Sequence, residues 1–255
     1  MIQPYFQNDL VTLYCGDCID VMRELNGRFD CCITDPPFGT TCCAWDSIIP
    51  FEPMWFELKR IIKPNGAICM FGSEPFSSFM RCSNIDMFKY DWIWEKSKST
   101  NYLNAKKQPL RCYEIISVFY SQQPTYHPEM RTGSPYNKGY ALRETDVYSS
   151  QRAVEVKSES GERYPRNILY NVTAESEGKL HPTQKPVSLM EYFIRTYTSK
   201  GESVLDFAAG SGTTGVACMN LERKCVLIEN DEQYCEVIKD RLSKHNPQME
   251  LFDFV

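Results

Sequence analysis

A carboxylate, two prolines and an aromatic ring follow one of the predicted strands. The apolar run from Phe29 to Thr34 leads directly into Asp35, Pro36, Pro37 and Phe38. Consecutive prolines are stiff and donate no backbone hydrogen bonds, so they end the strand and hold neighbouring side chains and carbonyls in fixed directions. This combination favours a functional site, with a fixed hydrogen-bond acceptor and a ring available for stacking, over an ordinary proline-containing loop.

A glycine-rich turn follows a second apolar run late in the chain. The run from Val204 to Asp206 is followed by Phe-Ala-Ala-Gly-Ser-Gly-Thr-Thr and then by a helical pattern that continues to Leu221. Gly210 and Gly212 would let a ligand approach bare backbone beyond the carboxyl end of a strand, where open parallel sheets bind small molecules. The Gly-x-Gly spacing argues against a P-loop, and a purely structural turn stays open as an alternative. The candidate N-cap residues of this helix are Ser211, Thr213 and Thr214.

These two corners need a scaffold, and the remaining apolar runs describe one. Near-continuous apolar runs that alternate with helical patterns predict a parallel sheet covered by helices on both faces. The predicted strands are Val11 to Cys15, Phe29 to Thr34, Ala67 to Phe71, Tyr90 to Trp94, Ile115 to Tyr120, Val204 to Asp206 and Cys225 to Glu229. The predicted helices include Ile19 to Leu25 with Gly27 as a C-terminal cap, Phe51 to Ile62, Leu189 to Tyr197, and Tyr234 to Leu242 after a capping box formed by Asn230 and Gln233.

Four carboxylates end or directly follow predicted strands. They are Asp17, Asp35, Asp206 and Glu229. Because the carboxyl ends of parallel strands meet at one edge of a sheet, we expect these groups to share one crevice. Glu229 ends the strand that follows the glycine turn, which is the position from which an acid reaches a ribose diol in nucleotide-binding sheets.

The composition is that of a globular chain with room for one large domain or one domain with an insertion. It has 255 residues, of which 42% are hydrophobic, and a net charge of −5. No apolar run approaches the roughly 20 residues of a membrane helix, and the N-terminus lacks the pattern of a secretory signal. We therefore expect a cytoplasmic protein with no membrane partner.

The twelve cysteines raise the question of a metal site. Cys15 and Cys18 form a C-x-x-C, but no second one exists, and the nearest further ligands would come from predicted core strands. We therefore expect no metal. Most of the other cysteines lie in apolar runs, where a free thiol behaves as a small hydrophobe, as at Cys31, Cys32, Cys69, Cys218 and Cys225.

A cationic segment lies between two predicted strands of this acidic chain. Glu95 to Arg111 contains five basic residues and one acidic residue, interleaved with amides and an aromatic ring. Such a segment suits contacts with a nucleic-acid backbone, although a solvated charged face is the alternative. The candidate DNA-binding residues are Lys96, Lys98, Asn101, Asn104, Lys106, Lys107 and Arg111.

Residues 121–180 differ in character from the rest. Gly, Pro, Ser, Tyr and mixed charges replace the apolar runs, and a structureless loop of this length is unusual in a compact domain. We therefore expect an inserted region at 121–180, which faces DNA or forms a polar surface lobe. It separates a first half of the main domain, 1–120, from a second half, 181–255.

Three motifs together resemble the amino-group DNA methyltransferases that use S-adenosylmethionine. They are Asp35-Pro-Pro-Phe38, the turn from Asp206 to Thr214, and His181-Pro-Thr-Gln-Lys-Pro186. Their order is similar to that of the beta group of this family. The resemblance implies an α/β, Rossmann-like fold with a mostly parallel seven-stranded sheet, circularly permuted so that the final helix leads to the strand at Val11, and a target-recognition insertion.

The resemblance also implies roles for individual residues at a cofactor site. Thr183 and Lys185 would help to bind the cofactor carboxylate, Glu229 the ribose hydroxyls, and Asp17 would approach the adenine. The methionine part would be surrounded by Asp206, Gly210, Ser211, Gly212, Thr213 and Thr214. The implied cofactor set is completed by Cys18, Asp35, Phe207, Ala208 and Asn230. The family usually has Asp-Pro-Phe-x-Gly where this chain has Asp206-Phe-Ala-Ala-Gly210, so the usual phenylalanine beside the cofactor is displaced or missing.

Catalysis would fall to the proline corner. Asp35 and the carbonyl of Pro36 would accept the two hydrogens of an exocyclic amino group, Pro37 would keep the corner rigid, and Phe38 would stack on a flipped-out base of double-stranded DNA. Adenine-N6 is the favoured target, because members that act on cytosine-N4 more often begin this motif with Ser. Cytosine-N4, a catalytically idle DNA-binding or cofactor-sensing protein, and methylation of RNA or protein stay open as alternatives. A homodimer and a companion restriction nuclease are compatible with the resemblance.

Overall fold

The computed structural model describes residues 2–40, 46–145, 148–178, 180–181 and 183–245. Its strands are β1 (Phe6–Gln7), β2 (Val11–Cys15), β3 (Phe29–Thr34), β4 (Ile62–Gly72), β5 (Phe88–Thr100), β6 (Arg111–Phe119), β7 (Tyr136–Thr145), β8 (Tyr148–Ser158), β9 (Ile168–Asn171), β10 (Ser203–Asp206) and β11 (Lys224–Glu229). Its helices are α1 (Cys18–Glu24), α2 (Phe51–Ile61), α3 (Phe76–Ser83), α4 (Val187–Tyr197), α5 (Thr213–Asn220) and α6 (Glu232–Lys244).

The strands of the main sheet lie in the order β1-β2-β11-β10-β3-β4-β6-β5-β9. From β2 to β4 all neighbours are parallel, whereas β6 is antiparallel to both β4 and β5. The fold is thus the predicted permuted Rossmann-like sheet, with β2 beside β11. In the described residues the sheet has nine strands instead of seven. The additions, β1 and β9, are edge strands of two and four residues, too short to give a readable alternation of apolar residues.

Helices cover both faces of the sheet, as the apolar runs predicted. Successive strand residues point to opposite faces, so Cys31 and Ile33 pack on one side and Cys32 on the other. The first face is covered by apolar residues of α4, α5 and α6, including Phe193 and Ile238. The opposite face is covered by Met22, Met54, Leu58 and Met80 from α1, α2 and α3. None of the helices in the described ranges is both long and apolar enough to cross a membrane.

Two predicted helix ends are wrong. Helix α1 has its C-cap at Leu25 instead of Gly27, because the Leu25 N–H already bonds to a carbonyl within the last turn. Helix α6 has Asp231 as its N-cap, and the Asp231 Oδ1 accepts from the N–H of Gln233 at 2.8 Å. The predicted capping box of Asn230 and Gln233 is therefore wrong: the N-cap is one residue later, because the carboxylate of Asp231 reaches the free N–H groups of the first turn.

The expectation of buried free cysteines is confirmed. The five core cysteines named above are at most 3% exposed, and all are free thiols. Cys15 and Cys18 are also free. Within the described ranges, no group of three His, Cys, Asp or Glu residues is arranged to hold a metal ion.

The chain divides into two compact units. The larger, which contains the nine-stranded sheet, comprises residues up to 127 and from 167 onward, and the smaller comprises 128–166. In the smaller unit β7 and β8 form an antiparallel pair, and the backbone of Arg131 pairs with that of Arg163. The Arg163 guanidinium lies over the Tyr136 ring, 4.2 Å from its centroid. The smaller unit falls inside the predicted insertion at 121–180, and β9 from that region joins the main sheet.

Candidate active site

A cavity of about 670 Å³ lies at the carboxyl edge of the parallel strands. Its volume is in the range of small-molecule sites, about 300–1,000 Å³. The four strand-end carboxylates all line it, as the predicted shared crevice requires. The sequence-predicted catalytic and cofactor residues that line it are Asp17, Cys18, Asp35, Pro36, Pro37, Phe38, Thr183, Lys185, Asp206, Phe207, Ala208, Gly210, Ser211, Thr213, Thr214, Glu229 and Asn230.

Asp206 ties three elements together at the floor of this cavity. Its Oδ1 accepts from the Thr34 hydroxyl at the end of β3 (2.8 Å) and from the Ala208 N–H (3.1 Å), and its Oδ2 accepts from the Thr214 hydroxyl in α5 (2.5 Å). Burial raises the pKa of Asp206, while the two hydroxyl donors oppose that rise. The carboxylate therefore fixes the glycine turn relative to the proline corner.

The predicted side-chain cap of α5 is wrong. Its N-cap is Gly212, which provides no side chain to bond the first turn. The Thr214 hydroxyl is directed to Asp206 instead, and the hydroxyl of Thr213 accepts from Arg241 at 3.1 Å. The carbonyl oxygen of Ser211 accepts a hydrogen bond from the same guanidinium at 3.0 Å.

Gly212 itself is absent from the residues that line the cavity. Its φ of +74° favours glycine, and a Cβ built there would lie 2.9 Å from Cγ2 of Ile238 in α6. The residue is therefore needed for the turn and for close packing of α6. Gly210, with a φ of +56°, lines the cavity as predicted.

Glu229 and Asp17 stand at the ends of neighbouring strands. Glu229 accepts from the Gly210 N–H (2.8 Å, Oε2) and from the Asp231 N–H (2.9 Å, Oε1), and burial raises its pKa. Asp17 caps α1 by accepting from the Ile19 N–H at 2.9 Å. Both carboxylates are therefore held by backbone donors in fixed orientations beside the cavity.

The Asp35 carboxylate has two unlike oxygens. Its Oδ2 accepts from Lys185 Nζ, whereas Oδ1 is buried and has no hydrogen-bond partner in the part of the chain that the structure describes. Burial raises the pKa of Asp35 to about 6, with Lys185 opposing the rise and Glu114 adding to it. The resemblance implies that Lys185 helps to bind a cofactor carboxylate, but its ammonium contacts Asp35 and Glu114. An orphaned acceptor beside a cavity suits a ligand that donates a hydrogen bond.

Glu114, which was not predicted as a site residue from the sequence, lines the cavity. It lies in β6, with Oε2 3.3 Å from Lys185 Nζ and Oε1 3.2 Å from Lys96 Nζ. These cations keep the pKa of Glu114 below its ordinary value in spite of burial. Lys96, predicted to contact DNA, has a side chain only 8% exposed and is held in this ion pair. A single glutamate before an apolar strand carries no sequence signal for this role.

His181 and Tyr234 also line the cavity without having been predicted as site residues. Their ring centroids are 4.3 Å apart, and the Thr183 N–H lies 3.2 Å from the His181 Nδ1. Burial and the nearby Lys185 lower the pKa of His181 to about 4, so the ring is neutral at pH 7. The sequence pattern assigned Tyr234 only to the core face of the last helix.

Most of the segment from Glu95 to Arg111, predicted to contact DNA, forms a β-hairpin whose loop lies at the same edge of the sheet as the cavity. Because β6 is antiparallel to β4 and β5 to β6, the loop 101–110 lies at the edge where β4 ends. Lys106 and Lys107 are exposed there, whereas Asn104 bonds the Asn101 side chain at 2.7 Å. The remaining predicted contacts interact with the protein, Lys98 with Glu175 and Arg111 with Ser73.

Known proteins are similar to this chain in sequence and in fold. A family model described as DNA methylase, of the N6/N4 methyltransferases, matches residues 29–240. The type II methyltransferase M.HpaI of Haemophilus parainfluenzae is 27% identical over 241 residues, which are 90% of this chain and 73% of that protein.

Two solved structures match nearly the whole chain. The complex of M1.HpyAVI with SAM is 25% identical, has a TM-score of 0.62, and matches 91% of this chain and 100% of that chain. The cytosine-N4-specific PvuII DNA methyltransferase, 18% identical with a TM-score of 0.65 over 97% and 92% of the chains, shares the fold. This chain therefore belongs to the N6/N4 family of DNA methylases, which are S-adenosylmethionine-dependent methyltransferases.

Proposed function

We propose that this enzyme transfers a methyl group from S-adenosylmethionine to the exocyclic N6 amino group of an adenine flipped out of double-stranded DNA. The observation that carries the proposal is Asp35. Its partly buried carboxylate directly follows β3 at a rigid proline corner, with one oxygen on Lys185 and the other buried and without a hydrogen-bond partner among the described residues. That second oxygen supplies the acceptor that an amino group needs.

The residues of the cavity fit the cofactor. When bound, S-adenosylmethionine supplies a methyl group already activated on a sulfonium centre. Glu229, held by the Gly210 N–H, offers a carboxylate at the strand end where an acid binds a ribose diol. Gly210 keeps the backbone bare, and the rings of His181 and Tyr234 give the same cavity an aromatic wall. This donor set and the volume support binding of a nucleoside with a charged tail.

The chain's own residues act on the acceptor base. An exocyclic amino nitrogen is a poor nucleophile because its lone pair is delocalised into the ring. Asp35 Oδ1 and the Pro36 carbonyl accept its two hydrogens, which favours a tetrahedral nitrogen, and the carboxylate offsets the positive charge that develops there. Phe38 stacks on the base, and its ring is supported by Phe76, 5.2 Å away between centroids. Stacking of this kind returns about 1–3 kcal/mol of the cost of base flipping.

Adenine is the proposed target because an aspartate, and not a serine, stands at position 35. Cytosine-N4 is the second candidate, since the family includes enzymes of both kinds.

The exposed Lys106 and Lys107 at the same edge as the cavity support DNA contact by the 101–110 loop, and we assign target recognition to the region 121–180. A cytoplasmic location, a homodimer and a companion nuclease stay predictions.

The test is methylation of unmodified plasmid DNA by the purified enzyme and S-adenosylmethionine. Nucleosides from a digest are identified by mass spectrometry, and the modified sites by sequencing that detects modified bases. We expect N6-methyladenine at one short recurring sequence. N4-methylcytosine in its place would overturn the adenine assignment, and the absence of any methylated base would overturn the proposed function.

A further inference from the structure

Four charged side chains of alternating sign lie in a row that begins at the proposed reaction centre. Lys185 Nζ contacts Asp35 Oδ2 and lies 3.3 Å from Glu114 Oε2, and Lys96 Nζ lies 3.2 Å from Glu114 Oε1. The side-chain exposures are 20% for Asp35, 7% for Lys185, 17% for Glu114 and 8% for Lys96. We name these four residues the charge row. Burial of so many charges is unfavourable unless each one is paired, and each one is.

The charge row is built on rigid elements. Glu114 pairs with Trp94 across the β5–β6 ladder, and Lys96 is two residues beyond Trp94 on the same face of β5. The Lys96 ammonium lies 5.9 Å from the Trp94 ring centroid, and that of Lys185 lies 5.3 Å from the Phe71 ring centroid. Strand pairing holds Lys96 and Glu114 in the sheet, and the cation–π contacts help to hold both ammonium groups. Because Glu114 lies in β6 and Asp35 directly follows β3, the sheet sets their relative position.

We propose that Glu114 and Lys96 are positioning residues for methyl transfer: they share Lys185 with Asp35 and thereby fix the charge and orientation of the Asp35 carboxylate. The inference rests on the proposed function of Asp35. Lys185 donates its hydrogen bond to Asp35, and Glu114, 3.3 Å away, shares the positive charge of the same ammonium. Lys96 limits this competition by pairing with Glu114. The result is a carboxylate that keeps one oxygen for the substrate.

The two positions have opposite electrostatic effects on Asp35. Without the Glu114 charge, Lys185 serves Asp35 alone, and the pKa of Asp35 falls. Without Lys96, Glu114 loses one of its two cations, competes more strongly for Lys185 and repels Asp35, so the pKa of Asp35 rises. Asp206 from β10 also raises the pKa of Asp35, and these changes leave it in place. His181, which lies near Lys185, is neutral at pH 7.

The test is the pH dependence of kcat/KM for Glu114→Gln and Lys96→Met on a duplex that carries the methylation site. The acid limb of this profile reports ionisation of the free enzyme. We expect the limb of Glu114→Gln to move to lower pH and that of Lys96→Met to higher pH, each by roughly one unit. Lys96→Arg, which keeps the charge, restores the wild-type limb. Glu114→Asp, which withdraws the carboxylate from Lys185, moves the limb in the same direction as Glu114→Gln and replaces it should that variant not fold.

Matched controls remove charges from an exposed pair far from the row. Lys200 and Glu222 are 2.7 Å apart with side chains 68% and 62% exposed, and Lys200→Met and Glu222→Gln keep the wild-type limb. Folding of every variant is checked by thermal unfolding and by calorimetric binding of S-adenosylmethionine. Limbs that stay at the wild-type pH in the row variants, or that move in one common direction, overturn the inference. An inactive wild-type enzyme overturns the proposed function instead, so the two failures are distinct.

Discussion

Replacement of Asp35 by asparagine changes one oxygen into an amide nitrogen and is the most direct test of the proposed chemistry. Lys185 Nζ donates to Oδ2 of Asp35, so the carbonyl oxygen of the new amide will turn to Lys185. Its NH₂ group then occupies the place of Oδ1, the oxygen without a partner in the described structure. A donor would face the amino group of the base, and both the acceptor and the negative charge are lost.

The magnitude follows from these two losses. Removal of one preorganised group that stabilises charge in the transition state costs about 10²–10³ in kcat, or roughly 3–4 kcal/mol. The free energy of unfolding decreases by less than these roughly 3–4 kcal/mol, because Lys185 keeps Glu114 as a partner. A loss of about 2 kcal/mol lowers the Tm of a chain of this size by about 4–8 °C. We therefore expect Asp35→Asn to be folded at 25 °C, to bind the cofactor within a few-fold of wild type, and to be nearly inactive.

The assay is transfer of a radiolabelled methyl group from S-adenosylmethionine to unmodified DNA, with cofactor affinity measured by calorimetry. Asp91→Asn is the matched control. Asp91 is also a partly buried, ion-paired carboxylate, 2.9 Å from Arg81 and 25% exposed, but it does not line the cavity. It should lose stability and keep its kcat. An Asp35→Asn enzyme that retained a tenth of the wild-type kcat would refute the role given to Asp35.

Three further predictions concern the walls of the site. The pKa of His181 is about 4 in the folded chain, against about 6.5 when unfolded, so its contribution to stability is present above pH 6.5 and is lost as the pH falls toward 4. The free energy of unfolding of the wild type should therefore decrease between pH 7 and 5, and urea unfolding should show that His181→Asn removes about 2 kcal/mol of that decrease. Lys106→Ala with Lys107→Ala should weaken DNA binding and make the salt dependence of log K shallower by about 2, and unchanged binding would return the loop to a solvated face. Gly212→Ala should lower the free energy of unfolding, measured in denaturant, by roughly 1–3 kcal/mol more than Gly201→Ala. Both glycines have positive φ, but of the two only Gly212 would place a new Cβ against Ile238, at 2.9 Å.

The strands of the main sheet could be predicted from the sequence because the apolar runs that mark them are local. Runs such as Phe29 to Thr34 are buried on both faces, and their apolar residues identify a parallel strand before any partner is known. The strand-end carboxylates then follow from the rule that parallel strands share one edge. The helix caps were less predictable, since Thr214 has the side chain of a cap but gives its hydroxyl to Asp206, a partner that only the folded chain brings near.

Lys96 and Lys98 show why the charge row escaped prediction. They are two residues apart in one cationic segment, and the sequence gives both the same interpretation as contacts for DNA. In the fold, Lys98 is 64% exposed and Lys96 is 8% exposed, because β6 brings Glu114 against Lys96. The exposure of a charged side chain thus depends on the register between two strands, which no local pattern encodes. A basic segment therefore predicts contact with a phosphate backbone only for those cations that the fold does not pair with a buried carboxylate. Lys96 is paired in this way with Glu114, and the same reasoning makes it a candidate positioning residue for methyl transfer.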